Sequence, residues 1–238
     1  MMSDKLYIVI PAYNEEENIE DVIREWYPNV LMGSEGSKLL VIDDGSKDST
    51  ADKLKKLQEE FPLLDVRHKA NSGHGPTILA GYRYAIDEGA DYIFQTDSDG
   101  QTDPKEFAGF WENRRKYEMI IGNRTAREDG FGRVIVTRTL RALILATFHV
   151  YVKDANTPFR LMKASVLEKE LKYVPRDYFL VNVLITVIFT KRKYRVRYVP
   201  ITFKPRQGGK NSINVGKITG IGLQSVADFI KLNRIISK

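Results

Sequence analysis

Over the first half of the chain, short apolar runs alternate with stretches in which apolar residues recur at helical spacing. Leu6 to Pro11 ends in Pro-Ala-Tyr-Asn-Glu, and Ile19, Val22, Ile23 and Trp26 follow, a pattern that predicts strand, loop and helix. Leu39-Leu40-Val41-Ile42 runs into Asp43-Asp44-Gly45-Ser46, and Ala51, Leu54 and Leu57 then mark a helix, expected to be capped near Ser49 or Thr50. A third strand near Leu64 to Arg67 leads through Asn71-Ser72-Gly73-His74-Gly75-Pro76 to a helix carrying Ile78, Leu79, Tyr82 and Ile86. The fourth, Tyr92-Ile93-Phe94, delivers Gln95-Thr96-Asp97-Ser98-Asp99-Gly100-Gln101, and Pro104 opens the next helix. Such units in series require a parallel sheet with right-handed crossovers, because parallel strands can be joined only by long connections.

Beyond residue 119 the rhythm loosens. Met119-Ile120-Ile121 leads to Gly122-Asn123-Arg124, a polar loop from Ala126 to Gly132 and a long helix over about Arg133 to Tyr151, which together read as a lid. Asp154 to Leu161 reads as turn then strand, and Asp177 to Thr190 as an apolar helix. Lys191 to Arg197 is basic with alternation, which predicts an exposed edge strand or a surface for an anionic partner. Pro205 to Ser212 is a basic loop. Leu223, Val226, Phe229 and Ile230 predict a C-terminal helix docked on the core, with binding to a membrane surface as the sharper alternative.

Composition narrows the chemistry. With no cysteine among 238 residues, disulfides, thiolate zinc sites and cysteine nucleophiles are excluded and a reducing compartment is expected. His68, His74 and His149 lack metal-ligand spacing. No N-terminal signal pattern is visible, and the longest apolar stretch, Phe179 to Thr190, is shorter than the ~20 residues a span needs, so a soluble or peripheral cytoplasmic protein is expected. Charge is polarised: residues 1–119 hold 14 Lys+Arg against 24 Asp+Glu, whereas residues 120–238 hold 23 against 7. The imbalance suits a second half that faces phosphates or an anionic membrane.

Ligands of parallel sheets bind at the carboxyl ends of the strands. Here those ends carry Tyr13-Asn14-Glu15, Asp43-Asp44, Asn71 to Gly75 and Asp97 to Gln101. Neither G-x-G-x-x-G after the first strand nor G-x-x-x-x-G-K-[ST] is present. Gly73-His74-Gly75 reads as a tight turn that lets backbone approach a ligand. Asp97 and Asp99, at i and i+2, can both turn toward a hard divalent cation that keeps waters and accepts phosphate oxygens; a plain turn is the alternative.

In order, Pro11-Ala-Tyr-Asn-Glu15, Asp43-Asp-Gly-Ser-Lys-Asp-Ser-Thr50, Asn71-x-Gly-x-Gly75 and Asp97-Ser-Asp-Gly-Gln101 resemble a family 2 glycosyltransferase with the GT-A fold, over roughly residues 6 to 104. Farther on, Gly122-Asn-Arg124, Arg133-x-x-x-Thr137, Asp154 to Arg160 and Arg206-x-x-Gly209 resemble the branch that includes dolichyl-phosphate mannosyltransferase and bacterial polyisoprenyl-phosphate glycosyltransferases. The chain departs from that branch at Thr157-Pro-Phe-Arg160, where Ser-Gly-Phe-Arg is usual, at Lys210-Asn211-Ser212, and at His74, which replaces a basic residue.

The resemblance implies an α/β, Rossmann-like, mostly parallel sheet flanked by helices, in a single domain over 1–238 with a basic C-terminal appendage. Residues 1–119 would bind the nucleotide sugar and 120–238 the acceptor. It implies an inverting transferase using Mg²⁺ or Mn²⁺, held by Asp97 and Asp99 with Gln101 nearby. Pro11, Tyr13, Glu15, Asp43, Asp44 and Gly75 would line the pocket for a UDP- or GDP-linked sugar. Arg124 and Arg206 would act on the phosphates together with Arg133, and Arg133, Thr137 and Lys210 would hold the acceptor. That acceptor would be a dolichyl or undecaprenyl phosphate at the cytoplasmic face of a membrane, with no nucleic-acid partner. Asp177 is the possible base if the acceptor is instead a saccharide hydroxyl; Arg176 stands where a catalytic Glu-Asp pair has its first acid, which favours phosphate. A non-catalytic nucleotide-sugar-binding module is the remaining alternative.

Overall fold

The first four apolar runs become parallel strands because the three connections between them each contain an amphipathic helix that returns the chain. β1 (Leu6–Ala12) leads to α1 (Ile19–Val30), β2 (Lys38–Asp43) to α2 (Thr50–Glu60), β3 (Leu64–His68) to α3 (His74–Asp87), and β4 (Tyr92–Gln95) completes the series. A 3₁₀ turn at Pro104–Glu106, started by Asp103 accepting from the Lys105 amide, runs into α4 (Phe107–Asn113). The chain continues through β5 (Met119–Arg124), α5 (Phe131–Phe148), β6 (Arg160–Lys163), α6 (Ala164–Leu171), α7 (Val181–Lys191) and β7 (Val196–Ile201). The computed structural model describes residues 4–124, 131–204 and 228–236, apart from the side chains of 131–136.

Among the described residues the sheet has the order β3-β2-β1-β4-β6-β5-β7. β6 is antiparallel to both β4 and β5, while β5 and β7 are parallel. Two reversals cancel, so β5 ends on the same side as β1, β2 and β4. Helices cover both faces, which explains why the strands read as continuous apolar runs. Along β1, Leu6, Ile8, Ile10 and Ala12 pack on one face with Trp26, Phe94, Phe107 and Phe159, and Tyr7 and Val9 pack on the other with Tyr82, Val183 and Ile188. Burying aromatic side chains such as Trp26 contributes a large share of the core energy per residue.

Several boundaries differ from the sequence reading, each for a local reason. Ser49 occupies the N-cap of α2 without a side-chain bond; Asp48 Oδ1 instead accepts from the Thr50 amide and hydroxyl at 3.0 and 2.6 Å. α5 starts at Phe131 and stops at Phe148 rather than running from Arg133 to Tyr151, because His149 takes φ 57°, a left-handed conformation that ends a helix. α7 begins at Val181, which leaves Asp177 in the preceding loop.

The basic stretch Lys191 to Arg197 is not one exposed strand. α7 continues through Lys191, Lys193 reverses the chain at φ 59°, and β7 begins at Val196. Lys191 Nζ donates to Phe148 O at 3.3 Å and Asn233 Oδ1 at 2.8 Å. Arg192 makes an ion pair with buried Glu170 at 2.9 Å, without an aligned hydrogen bond, and Arg195 pairs with Glu118 at 2.6 Å. These charges brace the sheet end opposite the strand carboxyl termini, and Lys193 and Arg197 remain exposed. β7 is an edge strand as expected.

Residues 228–236 are helical and dock through buried Phe229, Leu232 and Ile236, the Phe229 ring lying 5.3 Å from that of Phe148. Core docking is thus the reading that holds for this part, while Leu223 and Val226 lie outside the described residues. Among the described residues, no helix is long and apolar enough to cross a membrane.

Candidate active site

The loops at the carboxyl ends of β1, β2 and β3 are tied together by the residues that made them polar in sequence. Asn14, at φ 53°, donates its amide to Ser46 Oγ at 3.0 Å and accepts from the Lys47 amide at 2.8 Å. The Glu15 amide donates to Thr50 Oγ1 at 2.9 Å, and Glu15 Oε2 accepts from Asn18 at 2.8 Å. Pro11 is buried in β1, whereas Tyr13 is 41% exposed.

Asp43 and Asp44 are both buried. Asp43 accepts from the Ser46 amide at 3.1 Å and from its hydroxyl, and its other oxygen meets His68 Nδ1 at 2.9 Å. Asp44 accepts from the amides of Ser72 and Gly73, each at 2.9 Å, and from Lys69. The pair therefore shapes the turn into α3, whatever it offers a ligand. His68 and Lys69, which contact Asp43 and Asp44, were not singled out for the site by sequence pattern. Their signal appears only once β3 is known to lie beside β2.

Gly75 has a packing reason to be glycine. A Cβ there would sit 2.2 Å from Tyr178 O and 2.8 Å from Phe179 Cα. The loop before α7 thus packs on the first turn of α3 and forms a wall of the site, with Phe179 38% exposed and Tyr178 buried. Alanine would favour the helix by about 0.5–1 kcal/mol over glycine, but a backbone clash cannot rotate away, and overpacking costs about 1–3 kcal/mol. Gly75→Ala is therefore expected to lower the thermal midpoint and to free the 177–180 loop, checked by calorimetry and by hydrogen exchange over that loop. Unchanged stability would show that the loop yields at no cost.

Asp97 and Asp99 follow β4 directly. Asp97 Oδ1 is buried with no hydrogen-bond partner among the described residues, and His74 Nε2 lies 3.8 Å away, too far for a hydrogen bond. Asp99 Oδ1 accepts from the Gln101 amide at 3.2 Å. Gln101 is itself clamped, its side-chain amide donating to Lys204 O at 2.9 Å and its carbonyl accepting from the Lys204 amide at 2.7 Å. Among the described residues no cluster of three or more His, Cys, Asp or Glu is poised for a metal. An octahedral cation of the Mg²⁺ type needs only one or two carboxylates when waters and ligand phosphates complete its shell. The unpartnered Asp97 oxygen beside Asp99 fits that role.

Arg160, paired in register with Gln95 across β4 and β6, is fully buried, with no carboxylate partner among the described residues. It donates to Thr157 O, Ala155 O, Asn182 O and Thr186 Oγ1 at 2.6–3.2 Å. Burial holds its guanidinium below the usual arginine range, with Tyr82, Asp154, Tyr198 and Asp97 acting in the other direction. Burial likewise raises the Tyr82 phenol, which donates to Gln95. Arg124, at the end of β5, forms a bidentate pair with buried Asp154 at 2.8 and 2.9 Å, and its guanidinium lies 5.1 Å from the Phe203 ring centre. Asp154 orients the arginine, a role the sequence left unassigned.

Asp177 is exposed, in the loop whose next two residues pack on Gly75. Thr137 is half-buried on α5. Arg133 lies on the same helix with its side chain outside the described residues, as are Arg206 and Lys210 altogether.

The family model for Glycosyl transferase family 2 matches residues 7–174. The UDP-N-acetylglucosamine–dolichyl-phosphate N-acetylglucosaminyltransferase of Methanococcus voltae is 29% identical over 222 residues, covering 84% of this chain and 86% of its own. The undecaprenyl-phosphate mannosyltransferase of Micrococcus luteus is 27% identical over 225 residues, covering 89% and 88%. Among solved structures, glucosyl-3-phosphoglycerate synthase from Mycobacterium tuberculosis, in complex with Mn²⁺, uridine-diphosphate and phosphoglyceric acid, superposes with a TM-score of 0.73 at 17% identity, over 97% of this chain and 78% of that one. S. aureus TarS in complex with UDP gives 0.63 at 14% identity, over 96% and 65%. At such identities the superpositions speak for the fold alone.

Proposed function

This chain is a member of glycosyl transferase family 2 with the GT-A fold, and on that premise we propose that it transfers a sugar, with inversion, from a UDP- or GDP-linked donor to a polyprenyl phosphate. The observation that carries the reading is the buried, unpartnered Asp97 oxygen beside Asp99 at the carboxyl end of β4. A non-catalytic binding module would have no call for it. The names of the relatives, which specify dolichyl and undecaprenyl phosphates, support the acceptor class.

Asp97 and Asp99, with Gln101, would hold Mg²⁺ or Mn²⁺, and such an ion supplies charge stabilisation to the departing diphosphate. Pro11, Tyr13 and Glu15 would shape one side of the nucleotide pocket and the turn ordered by Asp44 the other. Asp43 and Asp44 would address base or ribose with the acceptor capacity that their internal bonds leave. Arg124 spends two of its five donors on Asp154, which fixes the guanidinium plane and leaves donors to meet phosphate.

A phosphate acceptor is already ionised at neutral pH, so it needs positioning rather than deprotonation. Arg133, Thr137, Arg206 and Lys210 would supply that from the half of the chain after residue 119. Arg133→Ala and Arg206→Ala are expected to weaken acceptor use by about 2 kcal/mol, as for loss of a charge-assisted contact, with little change in donor affinity. Equal losses for donor and acceptor would contradict the division of labour.

A hydroxyl acceptor would need a base, for which Asp177 is the candidate. The deciding experiment is a product assay with a panel of UDP- and GDP-sugars against polyprenyl phosphate, with Mg²⁺ or Mn²⁺. Transfer to a saccharide but not to the lipid phosphate would overturn the acceptor assignment. A lipid-linked acceptor also implies work at the cytoplasmic face of a membrane without spanning it. Salt-sensitive sedimentation with anionic vesicles tests that.

A further inference from the structure

On the flank of the sheet, α3, α6 and the turn after α6 line an open cavity of about 430 Å³. Its lining carries three cations, Arg83 from α3 and Lys172 and Arg176 from the turn, together with the carboxylates Asp87 and Glu168. Arg83 is half-buried and Arg176 exposed at the rim, and neither has a hydrogen bond or ion pair with the described residues. Burial lowers the pKa of Arg83, Arg176 lowers it further, and no carboxylate counters the effect. Among the described residues, half-buried Arg114, Arg124 and Arg192 are paired with Asp4, Asp154 and Glu170, whereas half-buried Arg141 has a buried Nε without a hydrogen-bond partner. Two guanidiniums gathered in a cavity without such a partner match a group with several anionic oxygens, which a planar fork of donors can bind bidentately.

We propose that this cavity is a phosphate-binding site, separate from the strand-end site, which takes the phosphate group of a lipid headgroup or of a free phosphate compound. Arg83 lies eight residues beyond Gly75 on α3, about 12 Å along the helix axis, so one small anion cannot serve both places. An anion held between Arg83 and Arg176 would cancel their repulsion. It would also pin the turn that leads into Tyr178 and Phe179, the residues that wall the strand-end site. The proposal does not rest on sugar transfer.

The test is titration of the full chain with inorganic phosphate in EDTA, by calorimetry, for the parent, Arg83→Gln, Arg176→Gln and, as a control, Arg67→Gln, whose arginine pairs with Asp65. Saturable binding weakened at least about tenfold, or 1.4 kcal/mol, in each of the first two variants and unchanged in the third is the expected result. No saturation in the parent, or equal binding in parent and Arg83→Gln, overturns the proposal. Circular dichroism of each variant guards against a loss of fold, and Arg83→Lys, which keeps the charge but loses the planar fork, should bind more weakly than the parent and more tightly than Arg83→Gln. Vesicles of equal parts phosphatidylcholine and phosphatidylglycerol identify the source. If they displace phosphate and pellet the parent but not the two variants, the ligand is a headgroup; if they pellet all alike, it is a free phosphate compound.

Discussion

Asp97→Ala is expected to abolish sugar transfer while leaving the melting temperature at or above that of the parent chain. The two halves of this expectation come from the same atom. Asp97 Oδ1 is buried without a hydrogen-bond partner among the described residues, and an unpaired buried carboxylate oxygen is a cost to the folded state. Removing it therefore relieves the fold, unlike most substitutions, which destabilise by about 0.5–3 kcal/mol. Activity should move in the opposite direction, because withdrawing a preorganised group that serves the developing charge costs roughly 10²–10³ in turnover. Paired measurements of the thermal midpoint and of turnover across a metal titration check it. A variant that loses stability along with activity would mean that the oxygen has a structural partner, and full activity in EDTA would remove the metal from the reading.

The parallel half of the sheet was legible because each apolar run is followed by a helix-period stretch and by turn residues at the strand end. Asp43, Asp44, Asp97 and Asp99 all lie at such ends, so their gathering at one end of the sheet was readable from spacing. What pattern could not supply is pairing across the sheet. β6 inserts antiparallel between β4 and β5, and nothing in the run Arg160-Leu161-Met162 announces its neighbours. The same limit hid the partners of the charged residues. Lys191 and Arg192 look like part of an exposed basic surface until residues 228–236 and Glu170 are brought beside them. Gly75 shows no sign in sequence of the loop before α7 that packs against it. Local spacing identifies which residues are unusual; only long-range packing says what they meet.

Arg160→Ala is expected to destabilise the fold by about 3 kcal/mol, because it removes several hydrogen bonds from a charged donor and the cost of the buried charge offsets part of their sum. Two effects compete at this position. Burying a guanidinium with no carboxylate beside it is unfavourable, as the lowering of its pKa by burial indicates, so deletion relieves that cost. Against this, the side chain donates to three backbone carbonyls and to Thr186 Oγ1. Hydrogen bonds from a charged donor are worth about 1.5–3 kcal/mol each. The Thr186 hydroxyl has one proton to donate, within reach of Asn182 O at 2.8 Å and Ala155 O at 3.2 Å, whereas Thr157 O takes two bonds from Arg160 itself at 3.0 and 2.6 Å. Loss of the arginine thus falls hardest on the segment 154–157. That segment includes Asp154, which holds Arg124, so the damage should reach the site. Arg160→Met separates the terms, because it fills most of the space without donating. If the hydrogen bonds dominate, Arg160→Met should unfold at nearly as low a urea concentration as Arg160→Ala; if the cavity dominates, it should recover most of the loss. A methionine variant as stable as the parent would show that desolvation of the charge outweighs its bonds, and Arg160 would then be retained for the placement of Asp154 and Arg124 rather than for the fold.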